Sequence, residues 1–290
     1  MKNISIGIVL LNYLASSETK ESVYWLKRQN SKNFNIKIII VDNDSNNGSY
    51  ELLKNEFAHD TQIEVVKTKR NLGFARGNNY GYEQLKNYMN PDFVIIANTD
   101  AFAKQEGLYD WIVREYKNEK FGVLGPSIYS KRGNFYQSPG KNETREIKKI
   151  HKEIHDLKKY LIKLQIKKII HYKETLEFPK WSNKLYKYKT KTKTLHGAFQ
   201  VFSKDYLEKF SDLYDNRTFL YREEDILKIR CDKEGLSMVY SPEYEVEHLQ
   251  AVSTLKASKS ILDQKINRTR NLLNSTKVYE KVLKESNLAE

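Results

Sequence analysis

Residues 93–102 read FVIIANTDAF: an apolar run, Phe93–Ala97, cut short by Asn98-Thr99-Asp100 and resumed at Ala101-Phe102. A run of this length with β-branched residues and no alternation reads as a strand buried on both faces. Two earlier stretches have the same character, Ile4–Leu11 and Ile36–Val41, and a shorter one lies at Ile63–Lys67. Between them the spacing predicts helices over Ser17–Gln29, Ser49–Phe57 and Ala75–Met89. Strands that alternate with helices and are apolar on both faces build a mainly parallel sheet covered on both sides, an α/β class. In such sheets ligands bind beyond the carboxyl ends of the strands. Three polar clusters fall at such ends: Asp42-Asn43-Asp44, Arg70-Asn71-Leu72-Gly73 and Asn98-Thr99-Asp100.

Each cluster has a plain and a chemical reading. Asp42 can close an Asx turn, or it can accept the imide N–H of a uracil or thymine base or a ribose hydroxyl. In KRNLGFARGNNYG (69–81), Gly73 and Gly77 bracket a helix start with Arg70 and Arg76 nearby, suiting either a simple turn or a diphosphate. Asp100 can cap a turn or the next element, or hold a Mg²⁺ or Mn²⁺ ion whose shell is completed by phosphates and water. Asn98 can hydrogen-bond to ligand or to Asp100.

Further along, FLYREEDILKIR (219–230) drives Glu223, Glu224 and Asp225 into a helix start. Acids there suit the macrodipole without any function, but a carboxylate of this kind is also what a general base requires. His248 ends a strand in YEVEHLQ (244–250), either as a structural histidine or as a metal ligand. The sequence HGAFQVF (196–202) reads as a strand, Ser203–Phe210 and Glu224–Glu234 as helices, and Val239-Tyr240 and Tyr244–His248 as two short strands.

The chain has 50 Lys/Arg against 37 Asp/Glu, a net charge of +13. Residues 141–193 hold 17 of those bases against 6 acids, so the basicity belongs to one segment. A protein that coats nucleic acid spreads its charge more widely. Within the segment Ile147, Ile150, Ile154, Leu157, Leu161 and Leu164 recur at three- and four-residue steps, an amphipathic helix with a lysine-rich outer face. It suits packing within the chain, dimerisation, an anionic membrane or an acidic glycan. A single cysteine, Cys231, excludes an internal disulfide. With an N-terminal apolar run too short to span a bilayer, it predicts a cytoplasmic setting, at most peripheral to the inner face of the cell membrane.

Taken together, VDNDSNNGS, NLGFARGNNYG, ANTD, HGAFQVF, FLYREEDILKIR and KEGLSMVYSPEYEVEH resemble a family 2 glycosyltransferase of the GT-A fold, with rhamnosyltransferase-like members of bacterial polysaccharide pathways among its relatives. The resemblance covers about 1–135 and 194–255 and extends to Thr269-Arg270-Asn271. It implies a Rossmann-like nucleotide-binding, mixed but mainly parallel sheet flanked by helices. The organisation it suggests is a nucleotide-sugar-binding half (1–140), a basic helical insert (141–193), an acceptor-binding half (194–255) and a C-terminal helical tail (256–290).

By position, Asp42 matches the nucleobase-contacting aspartate, with Asn43, Asp44, Asn71, Gly73, Arg76 and Asn98 around the donor. Asp100 matches the metal-binding end of an Asp-x-Asp motif in its Asn-first variant, and His248 the histidine that completes the Mn²⁺ or Mg²⁺ site. Glu224 falls on the general base, with Glu223 and Asp225 close enough to leave that choice open. Asn47 departs from a frequent Asp. The implied activity is inverting transfer from a UDP- or dTDP-sugar to a hydroxyl of a glycan or lipid-linked acceptor. A sugar nucleotidyltransferase and a basic nucleic-acid-binding protein are the alternatives.

Overall fold

The structure is a computed structural model that describes residues 4–140, 143–173, 184–191, 193–249 and 260–288. Its centre is a ten-stranded sheet. The parallel part is β1 (Ile4–Asn12), β2 (Phe34–Asp42), β3 (Ile63–Lys67) and β4 (Phe93–Asn98), in the order β3-β2-β1-β4. Register sets their carboxyl ends level: Asn12 stands opposite Asp42, Asp42 opposite Lys67, and Leu11 opposite Asn98. The rim expected from FVIIANTD therefore exists, and it gathers chemistry from three crossovers.

Two layers of helices cover the sheet because successive side chains of a strand point to opposite faces. Ile6, Ile8 and Leu10 of β1 pack with α1 (Ser16–Lys27), α2 (Ser49–Glu56) and α4 (Leu108–Asn118), where Trp111 and Ile112 are fully buried. Val9 joins the other layer with Tyr82 and Leu85 of α3 (Gly73–Lys86).

The second half of the chain extends the same sheet. β9 (Phe199–Ser203) runs antiparallel between β4 and β6 (Val123–Ser130), and β6 pairs in parallel with β10 (Met238–His248). The two strands expected at Val239-Tyr240 and Tyr244–His248 are one strand, with a register shift between Ser241 and Glu245. Its end pairs with β5 (Ala101–Phe102), setting His248 opposite Ala101. β7 (Phe135–Tyr136) borders β6, and β8 (Thr190–Lys191) borders β10. α6 (Lys204–Leu207) is a single turn, and α7 (Glu223–Lys233) packs under the sheet through Leu227 and Cys231.

The basic segment contributes α5 (Ile147–Ile169), and the tail contributes α8 (Ile261–Ser286). The apolar stripe of α5 is covered within the chain. Ile150 and Ile154 pack with Ile226 and Ile229 of α7 and with Leu273, Tyr279, Val282 and Leu283 of α8. Leu164 packs with Leu262 and Ile266. The aromatic, lysine-rich stretch at 174–183 and the start of the expected tail at 256–259 lie outside the described residues.

Candidate active site

The first wall of the site is the turn after β2. Asp42 is enclosed: Oδ2 accepts from Asn12 Nδ2 at 2.7 Å and Oδ1 accepts the Ser45 backbone N–H at 2.9 Å. In this state the carboxylate orders the turn. Asn43 is equally occupied. Its Oδ1 accepts the Leu72 N–H at 2.9 Å, and its Nδ2 donates to Asn71 Oδ1 at 3.2 Å. Asn43 thus pins the 70–73 loop to the end of β2. Asp44, at φ 64°, stands exposed beyond the turn. Asn47 accepts from the Ser49 hydroxyl at 2.6 Å, just before α2.

Gly73 stands where only glycine fits: φ is +77°, and a Cβ would lie 2.1 Å from Phe219 O. The next residue, Phe74, donates its N–H to that same carbonyl at 2.8 Å. The 70–73 loop is therefore fastened to the loop that leads into α7. Arg76 lies along this helix start, half-buried, with Nε donating to Leu72 O at 3.2 Å.

Asp100 and His248 are brought together by the pairing of β5 with β10. The Leu249 N–H donates to Asp100 O at 2.9 Å, and Asp100 Oδ1 lies 3.3 Å from His248 Nε2. His248 Nδ1 meets Gln137 Oε1 at 2.8 Å. An amide oxygen only accepts, so Nδ1 donates in this bond and Nε2 is the ring atom turned toward the Asp100 carboxylate. Two ligands about 2.1 Å from one ion lie about 3 Å apart in an octahedral shell, so the spacing fits a divalent metal. Among the described residues no group of three or more His, Cys, Asp or Glu is arranged to hold one. The pair would thus act with phosphate oxygens and water, as Mg²⁺ and Mn²⁺ sites commonly do. Asn98 is fixed by its backbone, its N–H donating to Ala198 O at 2.8 Å.

That bond leads to the third wall, the His196-Gly197-Ala198 turn before β9. His196 stacks edge-on to His248 with ring centres 5.7 Å apart. Loss of hydration, followed by the proximity of His248, pushes its pKa down to about 3, against the pull of Asp100. It is neutral at physiological pH, and its Nδ1 accepts the Ala198 N–H at 3.1 Å. The Gly197 N–H donates to Glu224 Oε1 at 3.1 Å, and a Cβ on Gly197 would lie 2.7 Å from that oxygen.

The three acids of α7 part company here. Tyr221 and Arg222 both have left-handed backbones, φ 76° and 69°, an uncommon conformation for bulky residues. The turn they make aims Glu224 at Gly197, beside the histidine pair. Asp225 instead accepts from Arg222 Nη1 at 2.5 Å, and Arg222 also binds Glu153 of α5. Asp225 is thereby linked through Arg222 to α5. Glu223 is buried, and its Oε1 has no hydrogen-bond partner among the described residues. Burial first, and the charge of Glu224 second, raise its pKa; burial also raises that of Glu224, while backbone N–H groups oppose it.

The structure thus brings Asp100, His248, Asn98 and Glu224 to one rim, with Asp42, Asn43, Asn71, Gly73 and Arg76 shaping the adjoining wall. It adds His196, Gln137, Asn12 and Ser45, which sequence reasoning did not single out. His196 had a signal, since it opens the HGAFQVF motif; nothing in the sequence marks Gln137.

A sheet that is parallel through β3-β2-β1-β4, continues through the antiparallel β9 and is flanked by helices is the architecture of GT-A glycosyltransferases. The model of glycosyl transferase family 2 matches residues 5–211, and the chain belongs to that family. It is 26% identical over 180 residues to an uncharacterised glycosyltransferase of Methanocaldococcus jannaschii, MJ1057. That alignment covers 59% of this chain and about 60% of the length of the relative. Among solved structures it is similar to GalNAc-T7 with UDP, GalNAc and Mn²⁺, with TM-score 0.59, 13% identity, and 84% of this chain and 43% of that one covered. Residues 1–349 of Staphylococcus aureus TarS give 0.54 at 11% identity, covering 90% and 68%. The mannosyltransferase PcManGT of Pyrobaculum calidifontis, in complex with GDP-Man and Mn²⁺, gives 0.53 at 9% identity, covering 97% and 73%.

Proposed function

We propose that the protein is an inverting, metal-dependent glycosyltransferase. In this reading it moves a hexosyl or deoxyhexosyl group from a UDP- or dTDP-sugar to a hydroxyl of a glycan or lipid-linked glycan, in bacterial surface polysaccharide or glycoconjugate synthesis. The observation that carries the reading is the placement of Glu224, held by the Gly197 N–H one residue from His196, whose ring meets that of His248 beside Asp100.

In this reading the nucleobase lies over the 42–45 turn and the diphosphate lies toward the start of α3, with Arg76 near it. Asp100 and His248 hold Mn²⁺ or Mg²⁺, which when bound offsets charge developing on the leaving nucleoside diphosphate. Glu224 takes the proton of the acceptor hydroxyl as its oxygen attacks the anomeric carbon, and the bond to the diphosphate breaks on the opposite face. One displacement of this kind inverts the anomeric configuration. Burial of Glu224 raises its proton affinity, which strengthens it as a base. His196, kept neutral, adds no positive charge to the metal side.

The test combines donor binding with turnover. A panel of nucleotide sugars with and without Mn²⁺ should show a thermal shift for UDP- or dTDP-sugars that depends on the metal, because a ligand of the native state stabilises it by mass action. Glu224→Gln should keep that shift and lose transfer by about 10³-fold. A variant with normal turnover at saturation but weakened donor binding would remove Glu224 from the role. Release of pyrophosphate with a nucleotide sugar as product would instead identify a nucleotidyltransferase.

A further inference from the structure

The far end of α5 is apolar on two opposite sides. Leu164 is fully buried against Leu262 and Ile266 of α8, with Leu161 packed beside it. Ile162, Ile166, Ile169 and Ile170 are 57%, 54%, 76% and 64% exposed. At about 100° per residue these four span an arc of about 100° centred opposite the buried side. An isolated exposed isoleucine needs no explanation, but four on one face of two turns form a patch of the kind that marks an interaction surface.

The surroundings of the patch identify its partner. From Lys158 to Lys173 there are six lysines and no acid. Lys159 and Lys163 stand exposed beside the isoleucines, and exposed Tyr172 comes just after them. Apolar side chains at the centre, lysines whose stems can lie along them with the ammonium groups outward, and an aromatic at the border suit a lipid headgroup boundary. A second copy of this chain would set lysine against lysine. An acidic glycan would satisfy the charge and leave four isoleucines in water.

We propose that the distal two turns of α5 and the residue that follows them dock on an anionic lipid surface, with Ile162, Ile166, Ile169 and Ile170 entering the acyl boundary and Lys158, Lys159 and Lys163 meeting the headgroups. The tip is rigidly connected to the candidate site. Glu153, thirteen residues before Ile166 on the same helix, pairs with Arg222 at the head of α7. At 1.5 Å per residue, docking holds that clamp about 20 Å along the helix from the lipid contact. The surface stands independently of the chemistry assigned to the rim of the sheet.

Flotation of the whole protein with phosphatidylglycerol-containing vesicles and with pure phosphatidylcholine vesicles tests it. The wild type should float with the anionic vesicles. Ile162→Ser, Ile166→Ser, Ile169→Ser and Ile170→Ser combined should weaken binding at least tenfold with the circular dichroism spectrum unchanged. Lys158→Gln, Lys159→Gln and Lys163→Gln combined should weaken it on anionic vesicles and reduce its salt sensitivity. Absence of flotation, or equal binding by the serine variant, overturns the proposal. So does a wild-type dimer in sedimentation that the serine substitutions dissolve, since the patch would then be occupied by a second copy.

Discussion

The rim of the sheet and the basic helix α5 both carry many charged and polar groups, and they dispose of them in opposite ways. On the rim nearly every polar side chain is tied to another element: Asp42 to Asn12 and Ser45, Asn43 to the 70–73 loop, His248 to Gln137, Glu224 to Gly197. On α5 the lysines point to solvent, and contacts with the rest of the chain run through one apolar stripe and a few ion pairs such as Glu153 with Arg222. Geometry at the rim is therefore set by specific short bonds, where small displacements matter. Along α5 it is set by packing on the inner face, while the outer face tolerates change.

Substitution on each side should expose that contrast. Gly197→Val should have the largest effect, because its side chain would occupy the position of Glu224 Oε1, 2.7 Å from the new Cβ. In the role proposed for Glu224, displacing the general base costs about 10²–10⁴ in rate, and transfer assays should show a loss of that size with donor binding retained. Activity at the wild-type level would mean that this contact is incidental. On α5, Ile154→Ala should destabilise by about 2–4 kcal/mol in denaturant titration, since the side chain is buried between α7 and α8. Ile166→Ala, on the same helix, should stay within about 0.5 kcal/mol. Equal costs would contradict the two-faced reading of the helix.

A smaller effect separates the acids of α7 by pH. Burial raises the Glu223 pKa above its ordinary 4.5, so between that value and the raised one the native state binds more protons than the unfolded chain. Stability then falls as pH rises through this window. Glu223→Gln removes the titrating group, so its melting temperature should gain on the wild type from pH 5 to pH 8. A gap that stays constant with pH would show that the carboxyl does not titrate differently in the fold.

The legible parts of the sequence were those with a single physical demand. β1 to β4 are buried on both faces, so their runs are continuously apolar, and Asp42, Asp100 and His248 were visible because each stands at or just past the end of a strand. β6 reads VLGPSIYS and β10 MVYSPEYEVEH; their Gly, Pro and Ser residues mimic loops, and only pairing with neighbouring strands holds them extended. Glu223, Glu224 and Asp225 could not be separated in sequence because their directions depend on two left-handed residues before them. The enclosure of Asp42 was equally hidden, since Asn12 lies thirty residues away and meets it only through strand register.

The central claim is that Asp100 and His248 share one divalent ion beside Glu224. Pulsed electron paramagnetic resonance on the protein with Mn²⁺ and UDP, repeated with dTDP, reads nitrogen ligands of the ion directly. The account predicts nitrogen modulation from one histidine that disappears in His248→Ala and persists in His196→Ala. Modulation that survives His248→Ala, or its absence from the wild type with both nucleotides, would contradict it.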